Sequence, residues 1–250
     1  MGIGSMRLTR RIAMWSGPRS VSTALMRAWG NRADTAVIDE PFYGYYLSVT
    51  GVNHPGREEA LASQPRDWQT VVRHLIGPIP ENKKIWYQKH HAHHLLPSIP
   101  LDWINELTNC FLIRHPRLIL SSYRRIRPSF SAADIGLANQ VAIFQHVRSR
   151  KKEVPPVLDA SDLLRDPESH LRALCAAVGV EFDTAMLSWP AGPRATDQVV
   201  APYWYTKVEK STGFFPYVEQ EASVPQRLRS VLEECMECYM ELFRYRLQVN

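Results

Sequence analysis

"MWSGPRSVSTALMRAW", residues 14–29, decides the fold. Residues 11–15 are the length and composition of a buried strand. Gly17 and Pro18 then break the run and make a turn. Val21, Ala24, Leu25, Ala28 and Trp29 recur after it at the spacing of one helix face. A buried strand that turns sharply into a helix leaves the backbone N–H groups of residues 19–23 without intrahelical partners. Those donors and the helix dipole favour a bound phosphate-like anion. Arg19 adds a fixed charge with bidentate reach, and Ser20, Ser22 and Thr23 add hydroxyl donors. The Lys-Ser/Thr pair that ends an ATP-binding loop is absent. Taken alone, the stretch also reads as an ordinary Ser-capped helix after a Pro turn.

Working outward, further short β-branched or apolar runs stand at 35–38, 84–88, 110–113 and 156–158. Between them come helical patterns at 134–150 and after Asp166-Pro167, where an N-cap Asp and a first-turn Pro open the helix and Gly179 ends it. Short strands alternating with helices predict a single α/β domain, residues 1–250, with a mostly parallel sheet flanked by helices. Ligands of such sheets sit at the carboxyl ends of the strands. Residues 51–82 read as irregular, with one helix at 68–75, so 42–82 is expected to form a cap on the acceptor side.

The chain has 250 residues, 45% hydrophobic, with a formal net charge of +5. That is enough for a substantial core. It lacks the strong basic stripe of a nucleic-acid binder. No apolar run approaches the roughly 20 residues that span a bilayer, and the N-terminus leads into a strand rather than an apolar signal. Cys110, Cys175, Cys235 and Cys238 form no secreted disulfide framework, so a cytoplasmic protein with reduced thiols is expected. Cys235 and Cys238 make a C-x-x-C, but Cys235 falls on the apolar face of a helical pattern over 228–243, which favours packing over metal or redox chemistry.

A second stretch makes the reading specific. "FLIRHPRLILSSYRR", residues 111–125, resembles the 3′-phosphate motif of sulfotransferases: a strand, an Arg, a variable residue, a Pro, and a Ser eight positions after the Arg, here Arg114 and Ser122. "SGPRSVSTAL", residues 16–25, is similar to the 5′-phosphosulfate loop of the same family, with Val21 where that loop has Gly. "VEKSTGFFPY", residues 208–217, resembles more weakly the family's C-terminal nucleotide loop, with Lys210 and Gly213 at its key positions. The chain is thereby identified as resembling the P-loop-like sulfotransferase superfamily, of the bacterial small-molecule kind.

The resemblance implies a P-loop NTPase-like fold and 3′-phosphoadenosine 5′-phosphosulfate (PAPS) as donor. A sulfuryl group would pass to a hydroxyl or amine of a small-molecule acceptor, releasing 3′,5′-adenosine bisphosphate (PAP). No metal is expected, since no ion need bridge β- and γ-phosphates, and no nucleic-acid or membrane partner is expected. Gly17 to Thr23 (Gly17, Pro18, Arg19, Ser20, Val21, Ser22, Thr23) would cradle the 5′-phosphate, with Arg19 at the bridging oxygen. Arg114 and Ser122 would hold the 3′-phosphate.

The acceptor must lose a proton, so a general base is needed. "WYQKHHAHHLLP", residues 86–97, is similar to the family's Lys-x-His segment. Lys89 would assist the sulfuryl oxygens, and His90 or His91 would be the base. Glu40, in "DEPFY", is the competing base, or a group that orients the His or binds the acceptor. Four His within 90–94 also admit a metal, although the preceding pattern is strand-like and no carboxylate is adjacent in sequence. Trp204 is the expected neighbour of adenine. A P-loop small-molecule kinase, offering Asp39 and Asp159, and a non-catalytic PAP-binding protein are the alternatives. Oligomeric state is open.

Overall fold

The computed structural model describes residues 9–219 and 222–249. Five strands, β1 (Arg10–Ser16), β2 (Thr35–Asp39), β3 (Ile85–His91), β4 (Thr108–Ile113) and β5 (Val157–Asp159), form one wholly parallel sheet in the order β2-β3-β1-β4-β5. All five expected strands are present. The largest change is in β3, which runs through His91 rather than stopping at Gln88, because Lys89, His90 and His91 continue the pairing with Met14, Trp15 and Ser16.

The helices are α1 (Ser22–Gly30), α2 (Tyr43–Thr50), α3 (Arg57–Ser63), α4 (Trp68–Ile76), α5 (Pro116–Tyr123), α6 (Ala132–Ile135), α7 (Leu137–Lys151), α8 (Ala160–Arg165), α9 (Pro167–Ala177), α10 (Ala201–Trp204) and α11 (Arg229–Phe243). Strand alternation sorts the core into two layers. Ala13, Trp15, Trp86, Phe111 and Val157 face α4, α7 and α11. Ile12, Met14, Tyr87, Cys110 and Leu158 face α1 and α9. Together the helices cover both faces of a single α/β domain.

Two expectations change. The helix expected over 134–150 is broken at Gly136, whose φ of 74° separates α6 from α7. The stretch 51–82 holds two helices, α3 and α4, rather than one, and α4 drives Val71 and Leu75 into the sheet core. Other details follow the expectation. Asp166 caps α9 by accepting from Ser169 N at 3.1 Å, and Gly179 follows the helix at φ 71°. Cys235 is buried in the core, and all four cysteines are free. No helix among the described residues is long and apolar enough to cross a membrane.

Candidate active site

A cavity of about 820 Å³ opens at the carboxyl ends of the strands, within the size range of small-molecule sites. The order β2-β3-β1-β4-β5 places a topological switch point beside β1, where open parallel sheets bind ligands.

The loop from β1 to α1 forms the floor. Gly17 is required by close approach: a Cβ there would lie 2.5 Å from the Ile135 carbonyl oxygen. Its N–H is 3.2 Å from the side-chain oxygen of buried Gln140 in the amide orientation that also donates to Leu112 O at 3.3 Å. Gly17 therefore braces the loop and spends its N–H on Gln140. Ser20 Oγ donates to Gly17 O at 2.6 Å and closes the turn. Pro18 to Thr23 all line the cavity. The position where the resembling loop carries Gly keeps a glycine-like backbone here: Val21 sits at φ 61°, ψ 16°, immediately before α1, and Arg19 at φ 59°. Left-handed backbone at a β-branched residue is strained, and such strain concentrates at functional sites. Among the described residues no side chain caps α1, so its first N–H groups stay available to a ligand.

The two phosphate motifs meet. Arg19 Nε donates to Ser122 Oγ at 2.9 Å, and Arg114 Nη1 donates to the Arg19 carbonyl at 2.6 Å. Burial lowers the pKa of both arginines, and their positive neighbours, Arg125 for Arg19 and Arg19 for Arg114, add to the shift. Cations gathered so closely form a site that an anion would relieve. Arg125 lines the same cavity.

The other half of the cavity lies at the ends of β2 and β3. Parity decides between the two histidines. Lys89 and His91 point to the cavity, while His90 points into the opposite core layer, stacked on Trp15 at 4.3 Å and 6.1 Å from Phe42. Burial, aided by Lys89, lowers His90 to about 3. His90 is thus removed from the group of site residues; it is a packed core imidazole. His91 Nδ1 stands 3.2 Å from Glu40 Oε2. Glu40 itself is at φ 42°, with its carbonyl accepting from Gln198 Nε2 at 2.9 Å. Burial alone would raise its pKa, but His91 and then Lys89 outweigh that and hold the carboxyl well below its usual range.

Lys89 is fully buried. Its ammonium donates to Asp39 Oδ1 at 2.7 Å, Glu40 Oε1 at 2.5 Å and Tyr205 OH at 3.0 Å. An ammonium has three donors, so all are spent, and the expectation that Lys89 grips sulfuryl oxygens gives way to a positioning role. Asp39 also accepts from Tyr205 OH at 2.5 Å. Asp159 caps α8 through Ser161 N at 2.8 Å and accepts from Tyr239 OH at 3.0 Å. Both carboxylates offered to a kinase are engaged in structure.

The C-terminal loop needs a correction. Lys210 is exposed and Gly213 pairs with Ser188 in a β-bridge; neither lines the cavity. Lys207, Ser211 and Tyr217 do. Trp204 lines the cavity as well, standing against His54 at 5.9 Å and packing with Tyr43 and Tyr46 on the α2 side, and Tyr217 stacks under Arg165 of α8. Tyr205, part of the aromatic cluster Tyr203–Tyr205 that the sequence offers as a pocket wall, lines the cavity, whereas Gln198 and His54, which also line it, carry no such signal. His54 bonds Tyr43 OH at 2.9 Å and contacts Arg127, and burial followed by Arg127 lowers its pKa to about 4. No local pattern marks Gln198 or His54, since each reaches the site from a distant segment.

Comparison with known proteins shows the family and the fold. The model of the sulfotransferase domain family matches residues 10–244, and the chain belongs to that family. Similar solved structures include the sulfotransferase domain of the Synechococcus PCC 7002 olefin synthase, with a TM-score of 0.56 at 15% identity, covering 96% of both chains. The sulfotransferase domain of the curacin biosynthetic pathway gives 0.55 at 16% identity, covering 97% of this chain and all of the other. Identities this low show the shared fold alone. Among sequence relatives, branched-chain-amino-acid aminotransferase-like proteins 2 and 1 of Arabidopsis thaliana are 37% and 36% identical over 228 residues, 91% of this chain. The chain spans 40% of the length of each.

Proposed function

We propose that this domain transfers a sulfuryl group from PAPS to a hydroxyl or amine of a small-molecule acceptor. The observation that carries the reading is the convergence of Arg19, Arg114 and Ser122 with the uncapped start of α1 in one cavity. The aminotransferase-like name of the Arabidopsis relatives is not carried over, because the region shared with them is the one the sulfotransferase family model matches.

The α1 N–H groups, Ser22 and Thr23 would hold the 5′-phosphate, and Arg114 with Ser122 the 3′-phosphate. Glu40 takes the Nδ1–H of His91, which leaves Nε2 to accept the acceptor's proton. The acceptor oxygen or nitrogen then bonds to sulfur, the bond from sulfur to the 5′-phosphate oxygen breaks, and PAP leaves with the electron pair. Arg19 stabilises the charge that builds on that leaving oxygen. Lys89 fixes Glu40 from below. The domain is proposed to work in the cytoplasm without a metal.

Calorimetric titration with PAP, with ATP and 5′-AMP as controls and no added metal, tests the donor site. Tight binding of PAP with much weaker binding of both controls is expected. Equal or absent binding of all three would end the sulfotransferase reading.

A further inference from the structure

β3 ends at His91, and the chain turns at once through the short helical segment Ala92–His94. That turn gathers His91, His93 and His94, each offering a ring nitrogen within 4.8 Å of the other two. The His93 and His94 rings stand 4.3 Å apart, and His91 lies 5.6 Å and 5.4 Å from them. His94 is only 2% exposed, and its Nδ1 is buried without a hydrogen-bond partner among the described residues. The nearest carboxylate oxygen, Glu40 Oε2, is 3.9 Å away, beyond hydrogen-bond reach. A buried polar nitrogen left unpaired is costly.

All three rings line the cavity. Glu40 is placed behind His91 as a carboxylate is placed behind a metal-bound imidazole, where it fixes the tautomer and leaves Nε2 free. Ligands of a tetrahedral zinc ion stand about 3.4 Å apart, given bonds of about 2.0–2.1 Å, so modest ring rotations close the cluster on an ion.

We propose that His91, His93 and His94 form a three-imidazole site for a divalent ion of the zinc class, with its fourth position open to the cavity. The ion takes the ring nitrogen that would otherwise accept the acceptor's proton, so its binding switches transfer off. The binding rests on the cluster alone; the inhibition rests on the function proposed above.

Tag-free protein is titrated with zinc chloride by calorimetry, with magnesium chloride as control. One zinc per chain at sub-micromolar affinity is expected, with no magnesium binding. His93→Asn and His94→Asn should each weaken zinc binding by about 100-fold, with thermal melts confirming folded protein. In the wild-type chain, nitrogen-15 imidazole shifts of His91, His93 and His94 should move on zinc addition, a readout that needs no variant. Absent stoichiometric binding, unchanged affinity in folded His93→Asn, or shifts confined to other histidines overturns the site. Bound zinc that leaves sulfuryl transfer unchanged overturns the inhibition, whereas transfer lost with zinc and restored by a chelator supports it.

Discussion

His90 and His91 are adjacent in sequence and face opposite sides of β3. His91→Asn should lower transfer by about 100-fold or more while PAP affinity holds, as loss of a general base requires. His90→Asn should leave transfer near wild type and lower the melting temperature instead. Comparing kcat, PAP affinity and melting curves for the two variants checks this. Arg114→Ala should weaken PAP binding by about 2 kcal/mol or more, the size of a lost charge-assisted phosphate contact; calorimetry that finds unchanged affinity would refute its placement at the 3′-phosphate. The Arg114–Ser122 spacing was legible because both residues lie on one short helix and its lead-in. The choice of His91 was not, because a strand ending in Lys-His-His looks too polar to continue. Only the buried carboxylates of Asp39 and Glu40, fifty positions away, make Lys89 tolerable there. Lys207 lines the cavity and Lys210 does not, because spacing within a loop does not fix which side chain turns inward.

The β1–α1 loop depends on backbone geometry as much as on donors. Val21 holds a left-handed conformation that costs a non-glycine residue about 1–2 kcal/mol. Val21→Gly relieves that cost but adds unfolded-chain entropy of roughly 0.5–1 kcal/mol, so urea unfolding should show unchanged or slightly raised stability. A clear loss would mean that Val21 packing outweighs its strain. Gly17→Ala has no such compensation. Its methyl would meet the Ile135 carbonyl at 2.5 Å, and overpacking of this kind costs about 1–3 kcal/mol. Denaturant curves should show that loss, with weaker PAP binding because the loop must shift. Strand, turn and helix were readable here from apolar spacing and the Gly-Pro break. The break at Gly136 was hidden, because the residues on both sides of it continue one helical composition.

The alternation of strands and helices, and with it a mostly parallel sheet covered on both faces, was legible, whereas the strand order β2-β3-β1-β4-β5 has no local signature in the sequence. What the sequence concealed is how many titratable groups the assembled molecule buries. His90 and His93 are both held to about 3, by burial first and then by Lys89 and His91 respectively. Unfolded, each would titrate near 6.5. Their folded pKa is depressed, so the stability is complete above about pH 6.5 and declines as pH falls toward 3, by at most roughly 1.4 kcal/mol per pH unit for each imidazole. Urea unfolding at pH 7, 6 and 5 should show that decline, with a shallower slope in His90→Asn. Long-range closure has a consequence for biosynthesis. The Glu40 carbonyl is held by Gln198, 158 residues later, and Lys89 by Tyr205, 116 residues later. A nascent chain still short of those residues already carries its arginines, its loop and its histidines, yet lacks the bonds that set the base. A chain terminated before Gln198 is therefore expected to lack the bonds that hold Glu40 and Lys89, and with them the proposed transfer activity.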